Sequence, residues 1–174
     1  MDHHDHVSLL AGTVSRGETW ADLGAGRGAF TLALADLVGP SGTVVAVDRD
    51  GPALRANRQR LRSGFPDVQN LHLLGDIRAP LPLKALDGVV LSNVLHFQAD
   101  QEAVVRLTLG YLAEGGAIAV VEYNIERPNP AVPVPVPFTR WRTLAGRAGA
   151  AKTALLHRRP SRGHREIYSA VSRW

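Results

Sequence analysis

Near its start the chain carries three glycines, Gly24, Gly26 and Gly28, two residues apart, with an acidic residue, Asp22, just before them. Glycines this close together allow the backbone to turn tightly and a ligand to approach the main chain without meeting a Cβ atom. A helical pattern begins directly after the loop, which predicts a strand, a turn and a helix in succession. Because Asp22 places a negative charge beside the loop, the loop suits a ligand with a positive ammonium group better than one with a pyrophosphate.

Strand and helix patterns alternate from this loop onward. Apolar strand patterns cover 18–23, 43–47, 70–74, 87–92 and 117–123, and helix patterns cover 27–38, 52–63, 100–113 and 138–149, with Gly64 and Gly115-Gly116 as helix ends. Near-continuous apolar strands separated by helices of about ten or more residues indicate crossover connections. The sequence therefore predicts an α/β fold with a mainly parallel sheet and helices on both of its faces.

The last part of the chain departs from this alternation. Five prolines fall within residues 127–137, which predicts an extended loop, because proline cannot donate to a strand ladder. Strand patterns at 153–157 and 166–172 are joined by residues 158–163 with no room for a helix, so they are expected to form an antiparallel hairpin. No repeat or linker divides the sequence, and we expect a single domain over 1–174.

Composition excludes several kinds of site. The chain has no cysteine, so disulfides, thiolate nucleophiles and cysteine-ligated zinc are excluded, and the sequence fits a reducing cytoplasm. No uncharged apolar run is long enough to span a bilayer, and the first twenty residues lack the layout of a signal peptide. We therefore expect a cytoplasmic protein with no membrane partner.

The histidine-rich start could in principle bind a metal through His3, His4 and His6. A frayed N-terminus is expected instead, and no metal site is predicted. If the segment is ordered, residues 1–17 would cap the ligand as a lid anchored by the helix-like residues 7–10. His72 and His157 fall within strand patterns and are interpreted as packing residues.

Positive charge is concentrated at the end of the chain. Residues 138–174 hold nine Lys or Arg and one acidic residue, whereas residues 1–137 hold eleven Lys or Arg and fifteen acidic residues. Such a cluster could attract RNA, a phosphorylated metabolite or a carboxylate. Because no aromatic residues alternate with the arginines as in a stacking surface, a solvated basic face is favoured.

Acidic residues follow three neighbouring strand patterns at their carboxyl ends. Asp22 precedes the glycine loop, Asp48 follows the second strand and Asp76 follows the third. In an open parallel sheet the ligand lies beyond these ends, and Asp48 is twenty residues past Gly28, the spacing at which a carboxylate meets ribose hydroxyls. Asp76 can accept from an exocyclic amine and Asp22 can pair with an α-ammonium. Each residue alone could be a turn residue or a cap, but three together favour one shared site.

These motifs resemble those of the class I S-adenosylmethionine-dependent methyltransferases, and in particular the small enzymes related to ubiquinone and menaquinone biosynthesis. The similarity covers about 18–124, and its motifs are Asp22-Leu-Gly24-Ala-Gly26-Arg-Gly28, Val47-Asp48, Gly75-Asp76 and Asp87-Gly-Val-Val-Leu-Ser-Asn93. The resemblance implies a three-layer α/β sandwich with a seven-stranded sheet whose last strand is antiparallel. It also implies S-adenosylmethionine as the cofactor and S-adenosylhomocysteine as its product.

The resemblance assigns a role to each motif by its position. The methionine part of the cofactor would lie against the loop residues Asp22, Gly24, Ala25, Gly26 and Gly28. Asp48 would bind the ribose, with the adjacent Arg49 also in the cofactor site, and Asp76 with Ile77 would meet the adenine edge. Asn93 would lie beside the sulfonium and the methyl acceptor.

Methyl transfer is a direct displacement, so the protein mainly aligns the reacting atoms. A base is needed only if the acceptor must lose a proton, and His96 is the candidate, because it follows the fourth strand. A histidine that is merely hydrogen-bonded at the start of the next helix is an equally good interpretation. Glu122 and Tyr123 are secondary candidates for the acceptor pocket, although ordinary packing is favoured for Tyr123, and loop 127–137 would roof the pocket. We expect a small acceptor that takes the methyl group on oxygen or carbon rather than sulfur.

Three other functions fit parts of the sequence. A nicotinamide or flavin nucleotide is disfavoured, because the third glycine follows the second by two residues and not by three. An RNA methyltransferase using the basic end of the chain is disfavoured by the Ser92-Asn93-Val94-Leu95 motif, which is typical of small-molecule enzymes. The sequence does not exclude a non-catalytic module that binds the cofactor. It also does not distinguish a monomer from a homodimer.

Overall fold

The computed structural model describes residues 1–161 and 165–174, which form alternating strands and helices. The strands in these residues are β1 (Thr19–Leu23), β2 (Thr43–Asp48), β3 (Gln69–Leu74), β4 (Leu86–Ser92), β5 (Leu112–Tyr123), β6 (Lys152–Ser161) and β7 (Arg165–Arg173). The helices are α1 (His3–Leu10), α2 (Ala29–Val38), α3 (Gly51–Gly64), α4 (Gln101–Leu109) and α5 (Phe138–Arg147), with a 3₁₀ turn at Leu95–Phe97. No helix in the described ranges is long and apolar enough to cross a membrane.

The strands form one sheet in the order β3-β2-β1-β4-β5-β7-β6. Neighbours from β3 to β5 are parallel, and β7 pairs antiparallel with both β5 and β6. The strand order reverses between β1 and β4, because β2 and β3 lie on one side of β1 while β4 and β5 lie on the other. The predicted α/β sheet with a C-terminal antiparallel hairpin is confirmed, and its switch point lies where β1 and β4 end.

Each face of the sheet carries its own apolar core, as the alternation of side chains along a strand requires. On one face Leu23 belongs to a cluster with Trp141 of α5 and with residues of α4. On the other face Trp20 belongs to a cluster with Phe30 of α2 and with residues of α1 and α3. The indole of Trp20 lies so close to Gly88 that a Cβ atom there would come within 2.4 Å of the ring. The three predicted layers therefore pack around β1.

The start of β5 differs from the prediction. The helix pattern was expected to run to residue 113 and to stop at Gly115-Gly116, but α4 ends at Leu109 and both glycines lie within β5. The next residue but one, Tyr111, is buried, and its hydroxyl accepts a hydrogen bond from the Leu81 amide at 3.0 Å. Docking of this side chain takes the backbone out of the helix, and the register of β5 against β4 then shifts before Ala117.

The C-terminal hairpin is longer than predicted. Residues 158–161 were assigned to the connecting loop, but β6 continues through Ser161 and pairs with β7. Pro160 is tolerated because β6 is an edge strand, whose outer N–H groups need no partner in the sheet. The rest of the predicted loop, residues 162–163, lies outside the described residues, and the other predicted elements end within about two residues of the observed ones.

The N-terminal segment is a helix rather than a frayed end. The side chain of Asp2 accepts from the Asp5 amide at 2.9 Å, and the side chain of Asp5 accepts from the Asp2 amide at 3.1 Å, so the two residues form a capping box. Leu9 and Leu10 are buried, and Asp5 also pairs with Arg159 of β6. Local capping and tertiary burial therefore order a segment that is too short to be helical alone.

Candidate functional site

Two adjoining cavities lie at the carboxyl ends of β1, β2 and β4, and Gly24 and Asn93 line both. The first cavity has a volume of about 230 Å³, and its other lining residues include Asp48, Arg49, Asp76, Ile77, Arg78, Val94 and Phe97. The second cavity has a volume of about 190 Å³, and its other lining residues are Met1, His6, Asp22, Ala25, Ala29, Phe30 and Ser92. Eight of the ten predicted cofactor residues therefore line this pair of cavities, and Gly26 and Gly28 lie just behind it.

The glycine loop is shaped by positive φ angles and by close neighbours. The amides of Gly24 and Ala25 both donate to the carbonyl of Val47 at 2.9 Å, which ties the loop to β2. Gly24 has φ +82°, and a Cβ atom there would lie 2.6 Å from a methyl carbon of Val94. Glycine is required at this position, because any side chain would be strained and would push Val94 into the first cavity.

Asp48 is held by backbone donors from two sides. One carboxylate oxygen accepts from the Gly26 amide at 2.6 Å, and the other accepts from the Asp50 amide at 2.8 Å. Each oxygen of an ionised carboxylate has a second lone pair. The carboxylate is thus fixed in orientation and still able to accept two hydroxyl protons from a ligand in the first cavity.

Asp22 is a buried carboxylate on the wall of the second cavity. It is 1% exposed, and its Oδ2 accepts from the hydroxyl of Thr31 at 2.6 Å. The pKa of Asp22 is raised from 3.8 to about 6, mainly by burial and to a smaller extent by the charge of Asp48, while hydrogen bonds from Thr31 oppose the rise. A cation in the second cavity would stabilise the ionised form, so the site suits an ammonium group.

Asp76 faces the first cavity with a partner that the sequence did not suggest. Its two oxygens accept from the guanidinium of Arg78 at 2.5 to 3.0 Å, and the main-chain amide of Arg78 also donates to Oδ1. The hydrogen bonds from Arg78 lower the pKa of Asp76 to about 2. An exocyclic amine at Asp76 would have to share this carboxylate with Arg78 or displace the exposed guanidinium.

Asn93 joins the two cavities in a strained conformation. It has φ +50°, which is uncommon outside glycine, and its amide donates to the Val121 carbonyl at 2.8 Å. Its buried Oδ1 has no partner among the described residues. Strain and an unpaired acceptor at one residue are typical of a functional position.

His96 lies behind the cavities in a buried hydrogen-bonded pair with Glu122. Its Nδ1 is 2.5 Å from Oε2 of Glu122, while Oε1 of Glu122 accepts from the amides of Val94, Leu95 and His96 at 2.9 to 3.4 Å. His96 is 2% exposed, and it is not among the residues that line either cavity. The Phe97 ring contacts it, with centroids 4.2 Å apart, and is itself 59% exposed at the first cavity. The role of His96 as a base stays a prediction.

Loop 127–137 runs beside this pair. The Val134 amide donates to the His96 carbonyl at 3.0 Å, and the Val134 carbonyl accepts from the side chain of Gln101 at 2.9 Å. Val132 and Val136 within the loop are themselves buried. The loop is therefore fixed next to the 3₁₀ turn after β4, and its predicted place over an acceptor stays a prediction.

The sequence analysis did not predict several residues of the site. Thr31, Asn57, Arg78 and Phe97 contact the predicted residues or line the cavities. The sequence could have indicated Asn57, because it is a polar residue on the apolar face of α3, three residues after Leu54 and four before Leu61.

Comparison with known proteins places this geometry in a family. A family model described as "Methyltransferase domain" matches residues 15–145. The curated relatives include the ubiquinone/menaquinone biosynthesis C-methyltransferase UbiE of Pasteurella multocida, which is 31% identical over 119 residues, 64% of this chain and 42% of the relative. The UbiE of Escherichia coli is 29% identical over the same length. The chain thus spans less than half the length of the curated relatives it matches.

Solved structures share the fold at lower identity. A putative O-methyltransferase from Nostoc punctiforme superposes with a TM-score of 0.78 at 20% identity, over 98% of this chain and 56% of that one. An arsenic(III) S-adenosylmethionine methyltransferase from Chlamydomonas reinhardtii superposes with a TM-score of 0.72 at 22% identity, over 91% of this chain and 63% of that one. The family match, the sheet order and the paired cavities agree, and the chain belongs to the class I S-adenosylmethionine-dependent methyltransferases.

Proposed function

We propose that this protein transfers a methyl group from S-adenosylmethionine to carbon or oxygen of a small acceptor. The observation that carries the proposal is the meeting of two cavities at Asn93, one walled by the buried Asp22 and the other by the backbone-held Asp48. The names of the UbiE relatives state C-methylation, which favours carbon as the acceptor atom. A cytoplasmic location is proposed with it and fits the absence of cysteine.

The residues of the chain fit the chemical groups of this donor. When bound, S-adenosylmethionine supplies a methyl group already activated by a sulfonium, so that transfer is a direct displacement. Asp22 would neutralise the α-ammonium, and Asp48 would accept from the ribose hydroxyls. The unpaired Oδ1 of Asn93 would accept the polarised C–H groups beside the sulfur. Orientation by these groups is the main catalytic contribution, because alignment alone can remove about 7–11 kcal/mol of a barrier.

We further propose that His96 takes a proton from the acceptor. Glu122 accepts three amide protons on Oε1, and its Oε2 lies against Nδ1 of His96, which makes Nδ1 the donor of that pair. The other ring nitrogen, Nε2, then carries the free lone pair that a base requires. Phe97 contacts the ring and lines the first cavity, so a turn of its exposed side chain would open a path to His96.

The His96→Gln variant is expected to lose about a hundredfold or more in turnover with phenolic or hydroquinone acceptors, because general bases contribute about 10²–10⁴-fold. The affinity for S-adenosylhomocysteine should stay unchanged, since His96 lies outside both cavities. Transfer of labelled methyl to a panel of benzo- and naphthohydroquinones, with calorimetry for the product nucleoside, measures both. Full turnover in the variant would leave His96 a structural residue, and transfer by neither protein would favour a non-catalytic binding module.

The Asp48→Ala variant is expected to bind the cofactor about 1.5–3 kcal/mol more weakly, through the loss of charge-assisted hydrogen bonds. Calorimetric titration with S-adenosylhomocysteine at neutral pH measures the change. Asp87→Ala is a suitable control, because Asp87 accepts only the Thr19 amide among described partners and lies at the other end of the sheet. Equal affinity of the Asp48 variant and the wild-type protein would refute the ribose assignment.

Methylation of RNA is the weaker proposal. Three arginines of the basic end are already engaged within the chain: Arg158 with Glu166, Arg159 with Asp5, and Arg140 with Gln101. The two pairs with carboxylates, those of Arg158 and Arg159, reduce the positive charge available to a phosphate backbone. Retention of the protein on RNA at physiological salt, with a steep decrease as salt rises, would restore this candidate.

A further inference from the structure

A chain of buried hydrogen bonds runs from Asp22 through two helices to the edge of the sheet. Thr31 on α2 donates to Asp22 at 2.6 Å, and Asn57 on α3 donates from Nδ2 to the hydroxyl oxygen of Thr31 at 2.8 Å. Nε2 of His72, on β3, lies 3.2 Å from Oδ1 of Asn57. Asn57 is fully buried and His72 is 9% exposed. The four side chains therefore form one continuous line, here called the Asp22 relay.

The direction of every proton in the Asp22 relay is fixed by its chemistry. Thr31 has a single hydroxyl proton, and because its oxygen already accepts from Asn57, that proton is free for Asp22. Asn57 uses its amide nitrogen for Thr31, so its Oδ1 must accept the N–H of His72 Nε2. Burial and the nearby charges of Arg58 and Arg62 lower the pKa of His72 to about 4, which keeps the ring neutral and allows one ring proton. All three donors therefore point toward Asp22.

The glycine loop leaves room for the relay. A Cβ atom on Gly28 would lie 2.8 Å from Cγ of Asn57 and 2.9 Å from its Oδ1. The third glycine of the loop thus accommodates Asn57 rather than the ligand, since Gly28 lines neither cavity within the described residues.

We propose that Thr31, Asn57 and His72 are positioning residues that keep the Asp22 carboxylate ionised and oriented for the cofactor ammonium. The proposal rests on the proposed function in that Asp22 binds this ammonium. Each donor in the line is polarised by the donor behind it. The hydrogen bond from Thr31 to Asp22 is therefore stronger than one from a threonine hydroxyl that accepts no hydrogen bond itself. The relay opposes the desolvation of Asp22, which otherwise favours the neutral acid and weakens its attraction for a cation.

Other ionisable groups face Asp22 and must be separated from the relay. Asp48 on β2 raises its pKa, and His6 on α1, together with Met1, lines the same cavity. Burial lowers the pKa of His6, so this ring also titrates in acidic solution. The His6→Gln background removes that titration and leaves the relay intact.

The Thr31→Val variant, made in the His6→Gln background, tests the proposal through the pH profile of S-adenosylhomocysteine binding. We expect about tenfold weaker binding at neutral pH and a midpoint about one pH unit higher than in the background protein, because the side-chain donor that connects the relay to the carboxylate is lost. Thr108→Val is the matched control, since Thr108 is equally buried and donates only to its own helix, at the Val104 carbonyl. Identical profiles for the two threonine variants would overturn the proposal.

Two variants of His72 test the far end of the relay, where folding is least at risk because β3 is an edge strand. His72→Phe should raise the midpoint in the same direction by a smaller amount, and His72→Gln should restore it, because the glutamine amide can donate where Nε2 does. A merely structural role for His72 predicts no such rescue of the pH profile, and a profile that is the same in both variants would exclude His72 from the relay.

Unfolding measurements give a readout that needs no cofactor. In the unliganded protein, stability measured relative to the same protein carrying Asp22→Asn should fall as the pH rises from about 4 to about 6, the range in which Asp22 ionises in the unfolded but not in the folded state. The lowered pKa of His72 acts with the opposite sign in this range, and it cancels because both proteins of the pair carry His72. In Thr31→Val the fall should continue to higher pH. Failure of the wild-type protein to bind the nucleoside would refute the proposed function, whereas an unchanged fall in Thr31→Val would refute the relay alone.

Discussion

The Asp22→Asn variant is expected to lose cofactor binding and, at neutral pH, to unfold less readily than the wild-type protein. Burial raises the pKa of Asp22 from 3.8 to about 6, so the folded state holds a proton that the unfolded state has released. Ionising this group at neutral pH therefore costs about 3 kcal/mol of the free energy of unfolding. Asparagine keeps an oxygen for Thr31 and carries no charge, so the variant avoids that cost.

The size of this effect depends on pH, which makes it easy to recognise. Below about pH 4 Asp22 is protonated in both states, and the variant and the wild-type protein should be equally stable. The gap should open as the pH rises to about 6 and then stay constant. Urea unfolding at a series of pH values measures it, and a variant that is less stable than the wild type at neutral pH would contradict the burial of an unpaired charge.

The same substitution removes the countercharge of the ammonium. Loss of one partner from a buried charge pair costs about 2–5 kcal/mol, so S-adenosylhomocysteine should bind at least about thirtyfold more weakly. Calorimetry at neutral pH measures this loss. Unchanged affinity would show that the second cavity does not receive the ammonium.

The Glu122→Ala variant should be the most destabilising change at the site. It would leave three amides of the 3₁₀ turn and Nδ1 of His96 without an acceptor in a buried region. Each buried donor left without an acceptor typically costs about 1–3 kcal/mol, so the total is a large fraction of the stability of a domain. The protein should therefore unfold at much lower urea concentration or fail to accumulate.

Two further variants provide comparisons for this loss of stability. Glu122→Gln keeps an oxygen for the amides, and its cost should be about 1–2 kcal/mol. Glu102→Ala removes an exposed partner of Arg106 and should change the free energy of unfolding by less than about 0.5 kcal/mol. A loss in Glu122→Ala no larger than that in Glu102→Ala would mean that the buried pair does not hold the turn.

The parts of this fold that sequence reasoning predicted well are those with local causes. The positive φ of Gly24 is required by a turn between a strand and a helix, and the spacing of the glycines predicts that turn. Asp48 follows a continuous β-branched strand, so its place at the end of β2 needs no knowledge of the rest of the chain. By contrast, the start of β5 depends on where Tyr111 docks, and that position is set by Leu81, thirty residues earlier.

The partners of the site residues were beyond the sequence for the same reason. Spacing alone does not decide whether His96 is a general base or a histidine that is merely hydrogen-bonded at the start of a helix. The residue that pairs with it, Glu122, lies on a different strand. His72 was interpreted as a packing residue, yet its ring nitrogen joins Asn57. Only the placement of α3 between α2 and β3 brings Thr31, Asn57 and His72 into one line, and no pattern within a single element records it.

The position of β7 has a consequence for how the protein is made. This strand follows β6 in the sequence but lies between β5 and β6 in the sheet, so β5 and β6 lack their common neighbour until β7 has been synthesised. Until then the apolar edge of β5 lacks its neighbour, and pairing with another nascent chain is a hazard during that interval. Dependence on chaperones should accordingly persist until β7 has been synthesised, and its insertion between β5 and β6 should be the event that completes the sheet.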